Sequence, residues 1–239
     1  MVITSLENEK VKELVKLQRK KYRDLTNTFL VEGEHLVCEA YKAGLLLKII
    51  SVDENIFDDI EHVKVSYDVM KKISSLDTPP KIMGLCKKKN DKISGNKILI
   101  LDDIQDPGNL GTIIRSSVAF GVDTIVLSLN TVDLYNPKVL RSTQGMFCYL
   151  NVVVDDIEKV IHDLKDKNYT ILGTNVNNGI DVRDITDIEK YALVMGNEGN
   201  GVSSKIQELC DKNLYIKMNS NVESLNVGVA CSILLYELR

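Results

Sequence analysis

The chain has 239 residues, 44% of them hydrophobic and 27% charged, with 4 Pro and 14 Gly; this suits a globular protein with a sizeable core, in one large or two modest domains. A formal charge of -4 excludes a protein that coats nucleic acid indiscriminately, though it permits a basic face on an acidic body. The five cysteines Cys38, Cys86, Cys148, Cys210 and Cys231 form no CxxC pair and His35, His62 and His162 are dispersed, so reduced core thiols and no metal site are expected. With neither a hydrophobic signal core nor an apolar run of bilayer length, a cytoplasmic location is expected.

Ser5 to Asp24 reads as one amphipathic helix, basic outside, with Val11, Leu14, Val15 and Leu17 on its apolar stripe. Phe29 to Val31 reads as a strand, Glu34 to Ala43 as a helix ending at Gly44, and Leu45 to Val52 as a strand. Val63 to Ser66, Tyr67 to Ser74 and Met83 to Cys86 continue the alternation and close a small α/β module. Lys87 to Asn96 is charged and poor in apolar residues, which suits a linker. The expected division is therefore 1–90, a linker at 91–96, and 97–239.

The second part opens with Ile98 to Leu101, a continuous apolar run of the kind buried on both sheet faces. Asn109 is a plausible N-cap for a helix from Leu110 to Phe120, and Thr124 to Leu127 completes a βαβ unit. Strands are expected at Leu150 to Val154, Tyr169 to Leu172, Ala192 to Met195 and Leu214 to Ile216. Helices are expected at Ile157 to Lys167 and Ser203 to Cys210. From Val227, apolar residues at i, i+3, i+4, i+7, i+8 and i+11 mark a C-terminal helix, with Ser224 and Asn226 as cap residues. The total describes an α/β fold built on an open, mostly parallel sheet, whose ligands sit beyond the carboxyl ends of the strands.

Three polar clusters follow apolar strands: Asp106 to Asn109 with Arg115, Gly196 to Gly201, and Glu223 to Asn226. They can converge on one edge of the sheet. The glycine turn GNEGNG fails as a dinucleotide fingerprint on spacing and as a P-loop for want of Gly-Lys-Ser/Thr. It serves either as a tight structural turn or as a close backbone approach to a ligand, with Glu198 capping a helix end or facing substrate. Arg115 is either a solvated helix residue or a planar fork for a phosphate.

These residues carry a resemblance. DPGNLGTIIRSSVAFGVDTIVLS, LVMGNEGNGVS and YIKMNSNVESLNVGVACSILLYE, in this order, resemble the three motifs of the SpoU, or TrmH-type, branch of the SPOUT RNA methyltransferases, and VDLYNPKVLRSTQGMF between the first two is also similar to that family. The first module, with FLVEGEHLVCEA after a basic helix, resembles the small L30e-type RNA-binding domain of rRNA-directed members. The resemblance implies a C-terminal SPOUT-type parallel sheet with a deep trefoil knot, a homodimer, and S-adenosylmethionine-dependent methylation of a ribose 2'-hydroxyl in 23S rRNA. A tRNA substrate, or a non-catalytic RNA-binding protein on the same fold, are the alternatives.

Carried over residue by residue, the resemblance places Leu172, Gly173, Thr174, Gly196, Asn197, Gly199, Ile216, Met218, Leu225 and Val227 at the cofactor. Asn109, Arg115, Glu198, Ser224 and Asn226 fall on the reaction side. Arg115 is assigned as a phosphate clamp, since a guanidinium does not readily lose its proton. Glu198, Ser224 or a water would then relay the hydroxyl proton, with Asn109 and Asn226 holding the loops. Lys20, Lys21, Arg23 and Arg141, with Lys87 to Lys89, are the expected RNA contacts, a solvated surface being the alternative for the last group. Two positions depart from the family pattern: Lys217 replaces a proline, and Gly228, which costs roughly 1 kcal/mol against Ala in a helix, replaces a serine.

Overall fold

The computed structural model describes residues 2–53, 56–176, 179–186 and 188–239. In chain order its elements are α1 (Glu9–Lys16), α2 (Lys20–Thr26), β1 (Thr28–Glu32), α3 (Glu34–Lys42), β2 (Leu46–Ser51), β3 (Glu61–Lys64), α4 (Tyr67–Ile73), β4 (Ile82–Lys87), β5 (Lys97–Leu101), α5 (Pro107–Ala119) and β6 (Thr124–Leu127). They continue with α6 (Pro137–Thr143), β7 (Asn151–Val154), α7 (Ile157–Asp166), β8 (Thr170–Thr174), β9 (Ile180–Asp181), β10 (Tyr191–Met195), α8 (Ser204–Gln207), β11 (Lys212–Tyr215) and α9 (Val227–Glu237). Short 3-10 turns occupy Met146–Tyr149 and Val182–Asp184.

The chain folds as two units, one comprising Met1–Asn90 with Asp133–Cys148, the other Asp91–Val132 with Tyr149–Arg239. In the first, the sheet order is β1-β4-β2-β3. β4 runs antiparallel to β1 and β2, and β3 is parallel to β2. Val11, Leu17, Ile50, Val69, Met70 and Met83 share one core with this sheet.

The helix expected over Ser5 to Asp24 is two helices. Arg19 is extended, with φ -102° and ψ 133°. The carbonyls of Leu17 and Gln18 accept from the Arg23 guanidinium at 2.8 and 2.9 Å, while the Gln18 amide donates to the carbonyls of Ile73 and Ser74. The Arg23 side chain thus takes two carbonyls that a continuing helix would use, and the Gln18 side chain ties the break to the end of α4.

Asp133–Cys148 belongs to the first unit and not, as expected, with 97–239. Phe29 on β1 meets Tyr135 at 4.5 Å and Phe147 at 5.9 Å between ring centroids. Two arginines fix the segment. Arg23 pairs with Asp133 at 2.5 Å, and Arg141 reaches Ser75 at 2.7 Å and Glu32 at 3.5 Å. Arg23 is buried, and Lys88 is held between Asp24 and the Tyr135 ring. Arg23, Arg141 and Lys88 are therefore structural cations, contrary to the expectation of free phosphate contacts. Lys20 and Lys21 are exposed.

The second unit is built on seven parallel strands in the order β7-β6-β5-β10-β8-β11-β9. Ile98 to Leu101 in β5 and Ala192 to Val194 in β10 are wholly buried, as expected of central strands. The tract 91–96 is laid along this unit. Asp91 accepts from the Val152 amide, Ser94 exchanges hydrogen bonds with the Thr124 hydroxyl, and Asp123 accepts from the amides of Asn96 and Lys97.

Strand direction sends the chain from β5 to β7 toward one edge and from β10 to β11 toward the other. β10 follows β5 in space, so the order reverses beside these two strands, where α/β sheets open a crevice. α9 packs against α5: Ser116 and Ser232 share a hydrogen bond of 2.6 Å, and Phe120 meets Tyr236 edge-on at 5.8 Å. Among the described residues no helix is long and apolar enough to cross a membrane.

Candidate active site

α5 begins three residues earlier than expected. Asp106 is the N-cap, accepting from the Asn109 amide at 2.9 Å, and Pro107 stands at the first helical position, where its missing N-H is harmless. This corrects the reading of Asn109 as cap. Asn109 lies inside the first turn, so its side chain is free to reach elsewhere. α9 begins as expected, with the Asn226 side chain accepting from the amides of Gly228 and Val229 at 3.0 and 3.3 Å.

The glycine turn after β10 closes on itself. The amides and carbonyls of Asn197 and Gly201 exchange hydrogen bonds of 2.9 Å, and the Asn197 side chain accepts from the amides of Gly199 and Asn200 while donating to the Asp103 carbonyl. Gly196 is obligatory here: a Cβ would stand 2.0 Å from the backbone of Gly201 and Val202. The turn is therefore a tight backbone crossing, and it presents Glu198 outward.

Glu198, Asn109 and Asn226 form one directional chain of hydrogen bonds. Asn226 donates to Asn109 Oδ1 at 2.9 Å, and Asn109 donates to Glu198 Oε1 at 3.0 Å. The direction is fixed at both ends, because the α9 amides require Asn226 Oδ1 to accept and a carboxylate only accepts. Glu198 also accepts from the backbone amides of Gln105 and Asp106. Partial burial alone would raise the pKa of this carboxyl, but the Asn109 side chain and the backbone donors outweigh it and hold the group below its ordinary value. Glu198 is thus a clamp joining three loops. Both of its oxygens are engaged by these donors.

Beside this chain lies a cavity of about 350 Å³ at the carboxyl ends of β8, β10 and β11. Eight of the ten residues assigned to a cofactor line it: Thr174, Gly196, Asn197, Gly199, Ile216, Met218, Leu225 and Val227. Leu172 and Gly173 do not. Leu172 is wholly buried within β8, and Gly173 faces Asn213, Gln207 and Cys210. On the reaction side, Glu198 and Ser224 line the cavity. The Ser224 side chain is exposed, with no hydrogen-bond partner among the described residues. Arg115, in the third turn of α5, is likewise exposed and unpaired among the described residues.

The sequence reading missed Gln207, Asn175, Tyr215 and Ala230 as lining residues. Asn175 and Tyr215 carried a usable signal, since each directly adjoins an assigned position at a strand end. Gln207 and Ala230 carried none. Burial pushes the thiols of Cys148 and Cys210 up to about 12 and about 11, which makes them poor nucleophiles. No group of three or more metal-ligating side chains occurs among the described residues.

A parallel sheet whose strand-end loops line a cavity of mixed polar and apolar character, with neutral amides and one clamped carboxylate beside it, defines an α/β protein built to hold and orient a small polar ligand. Residues 96–236 match the family model described as the SpoU rRNA Methylase family, and the chain belongs to that family. Residues 8–84 match a model described as the MRM3-like substrate binding domain. The chain is similar to the 23S rRNA (guanosine(2553)-2'-O)-methyltransferase RlmP of Bacillus subtilis strain 168, with 41% identity over 99% of this chain and 98% of that one. It also resembles an AdoMet-bound rRNA methyltransferase from Sinorhizobium meliloti, with TM-score 0.88 and 27% identity over 100% and 97% of the two chains. The SpoU methyltransferase AviRb from Streptomyces viridochromogenes shares the fold at TM-score 0.87 and 23% identity, over 97% of each chain.

Proposed function

We propose that the protein transfers a methyl group from S-adenosylmethionine to a ribose 2'-hydroxyl of 23S rRNA, the cofactor occupying the cavity beyond β8, β10 and β11. The observation that carries this reading is the hydrogen-bond chain Glu198–Asn109–Asn226. It ties the loops of three sequence motifs together at the mouth of a cavity that the family's cofactor residues line. The cavity suits that cofactor: Leu225, Val227, Ile216 and Met195 offer apolar surface for a purine. At Gly196 the backbone crosses itself with no room for a side chain. When bound, the cofactor supplies an electrophilic methyl on a cationic sulfur.

The chain's own residues then have to position and deprotonate. In-line approach of a ribose oxygen depends on rigid loops, and the directional clamp through Glu198 provides that rigidity. Ser224, exposed at the cavity wall with its hydroxyl unengaged among the described residues, would accept or relay the hydroxyl proton, alone or through water. Arg115 acts as a phosphate clamp, its fork unoccupied by any described carboxylate. The outward residues of α9, Val229 and Tyr236, are about half exposed at 47% and 46%, and a homodimer that covers them is part of the proposal. So is a trefoil crossing of the chain around the 196–201 loop, which the strand order accommodates.

The test is incubation of the full chain with radiolabelled S-adenosylmethionine and unmodified 23S rRNA, followed by mapping of the alkali-resistant linkage. One labelled ribose is expected. RNA binding without label would leave a non-catalytic RNA-binding protein.

A further inference from the structure

The first unit holds a cavity of its own, of about 500 Å³, which the proposed reaction does not use. Its walls come from α1 and α2 and its floor from β2, β3 and β4. The floor is apolar: Ile50 belongs to the core, while Leu14, Val63 and Leu85 keep part of their surface open. Above it stands Tyr22, half-buried, whose hydroxyl has no partner among the described residues.

The rim is cationic. Lys10, Lys16 and Lys48 line the cavity against a single acid, Glu13. Lys48 is paired with Glu61 at 3.0 Å. Lys10 and Lys16 are exposed and have no carboxylate partner among the described residues, and the Lys16 ammonium lies 5.9 Å from the Tyr22 ring centroid. Thr26 donates to the Tyr22 carbonyl at 2.9 Å, so in its 2.7 Å contact with Thr28 the latter must donate. The Thr28 oxygen is thereby left as an acceptor.

An aromatic face, an apolar floor, a threonine acceptor and ammonium groups with no carboxylate partner among the described residues are what an unstacked base and its phosphates require. We propose that this cavity takes one unpaired nucleobase of the RNA substrate, stacked on Tyr22, with the adjoining phosphates at Lys10 and Lys16. Exposed Arg19, Lys20 and Lys21 at the start of α2 extend the phosphate track. An acidic peptide would satisfy the lysines but leave the ring and the threonine acceptor unused. The proposal rests on the reading of the protein as RNA-directed and deepens it by locating a subsite.

The test uses the full chain and 23S rRNA substituted with 4-thiouridine. Irradiation and peptide sequencing locate the contact, and methyl-transfer kinetics are run in parallel on wild type, Tyr22→Phe, Tyr22→Ala and the double variant Lys10→Glu/Lys16→Glu. The expected result is crosslinking within 9–28. Loss of one stacked base raises KM for RNA roughly tenfold or more in Tyr22→Ala, with kcat and S-adenosylmethionine affinity unchanged and Tyr22→Phe close to wild type. Should Tyr22→Ala fail to fold, the exposed lysine pair decides the matter through the same KM. Crosslinks confined to other segments, or an unchanged KM in the lysine variant, would overturn the proposal. Label in the RNA without crosslinks here removes the cavity and keeps the reaction, whereas crosslinks here without label remove the reaction and keep the cavity.

Discussion

Arg23 and Arg115 carry the same guanidinium into opposite circumstances. Arg23, its side chain 4% exposed, gives its two terminal nitrogens to Asp133 and to two carbonyls that end α1, while its buried Nε has no partner among the described residues. Arg115 is exposed and has no partner among the described residues. The first holds the segment 133–148 in the first unit, and the second is available to an anion. An arginine in a basic helix is thus no sign of RNA contact, because a buried partner far along the chain can claim it.

The sharpest way to break the second unit is at the backbone crossing. Gly196→Ala places a Cβ 2.0 Å from the backbone of Gly201 and Val202, and no side-chain rotation relieves a clash with backbone. We expect destabilisation of more than about 4 kcal/mol in urea titration, with loss of S-adenosylmethionine binding by calorimetry. For the first unit, Arg23→Ala leaves Asp133 without its guanidinium and should cost about 3–5 kcal/mol. Arg115→Lys sits at the other pole. Its stability should change by less than about 0.5 kcal/mol, while kcat/KM for 23S rRNA falls about tenfold, the equivalent of ~1.4 kcal/mol in a lost bidentate contact. Near-normal turnover in Arg115→Lys would remove the clamp assignment.

The sequence made some of this contrast legible and hid the rest for physical reasons. The central strands could be read because continuous apolar runs such as Ile98 to Leu101 admit few other environments. The three motifs could be assigned to one edge because strand ends in a parallel sheet share a side. The start of α5 was misread because Asn109 resembles a cap, although Asp106 followed by Pro107 is the stronger signal. The placement of 133–148 could not be read, since Val139, Leu140 and Phe147 state only that they are buried, not against which sheet. Leu172 and Gly173 do not line the cavity because it begins beyond the strand: Thr174, the last residue of β8, reaches it, and its predecessors do not.

Glu198 offers a finer distinction between holding and reacting. Its folded-state pKa lies below the ordinary 4.5, so its stabilising contribution is complete above that value and is lost as pH falls through the folded value. Glu198→Gln keeps an oxygen for Asn109 and Asp106 but turns an N-H₂ toward the Gln105 amide. A cost of about 1 kcal/mol at pH 7 is expected, with the difference from wild type narrowing below pH 4.5 in urea titrations. If Glu198 were instead the base, the variant would lose turnover at pH 7 with its stability and cofactor affinity intact.

The smallest effect is expected where α9 crosses α5. Gly228 stands in the first turn of α9, and helix propensity alone favours replacing it by about 1 kcal/mol. Its neighbour opposes the change: an added Cβ would stand 3.1 Å from Thr112 Cγ2 and 3.2 Å from Thr112 Cβ, close enough to require a shift of a few tenths of an ångström. Thr112 is exposed on α5, so its methyl can turn aside at little cost, but the contact with Cβ moves only if the helices part. The two terms nearly cancel, and Gly228→Ala should lie within about 0.5 kcal/mol of wild type. Thr112→Ser leaves Cβ in place and removes only the methyl, so combining it with Gly228→Ala should recover part of the propensity gain. A loss above about 2 kcal/mol in the single variant, restored by Thr112→Gly, would mean instead that α5 and α9 cannot part at all, and that Gly228 sets how closely the Asn226 cap approaches Asn109.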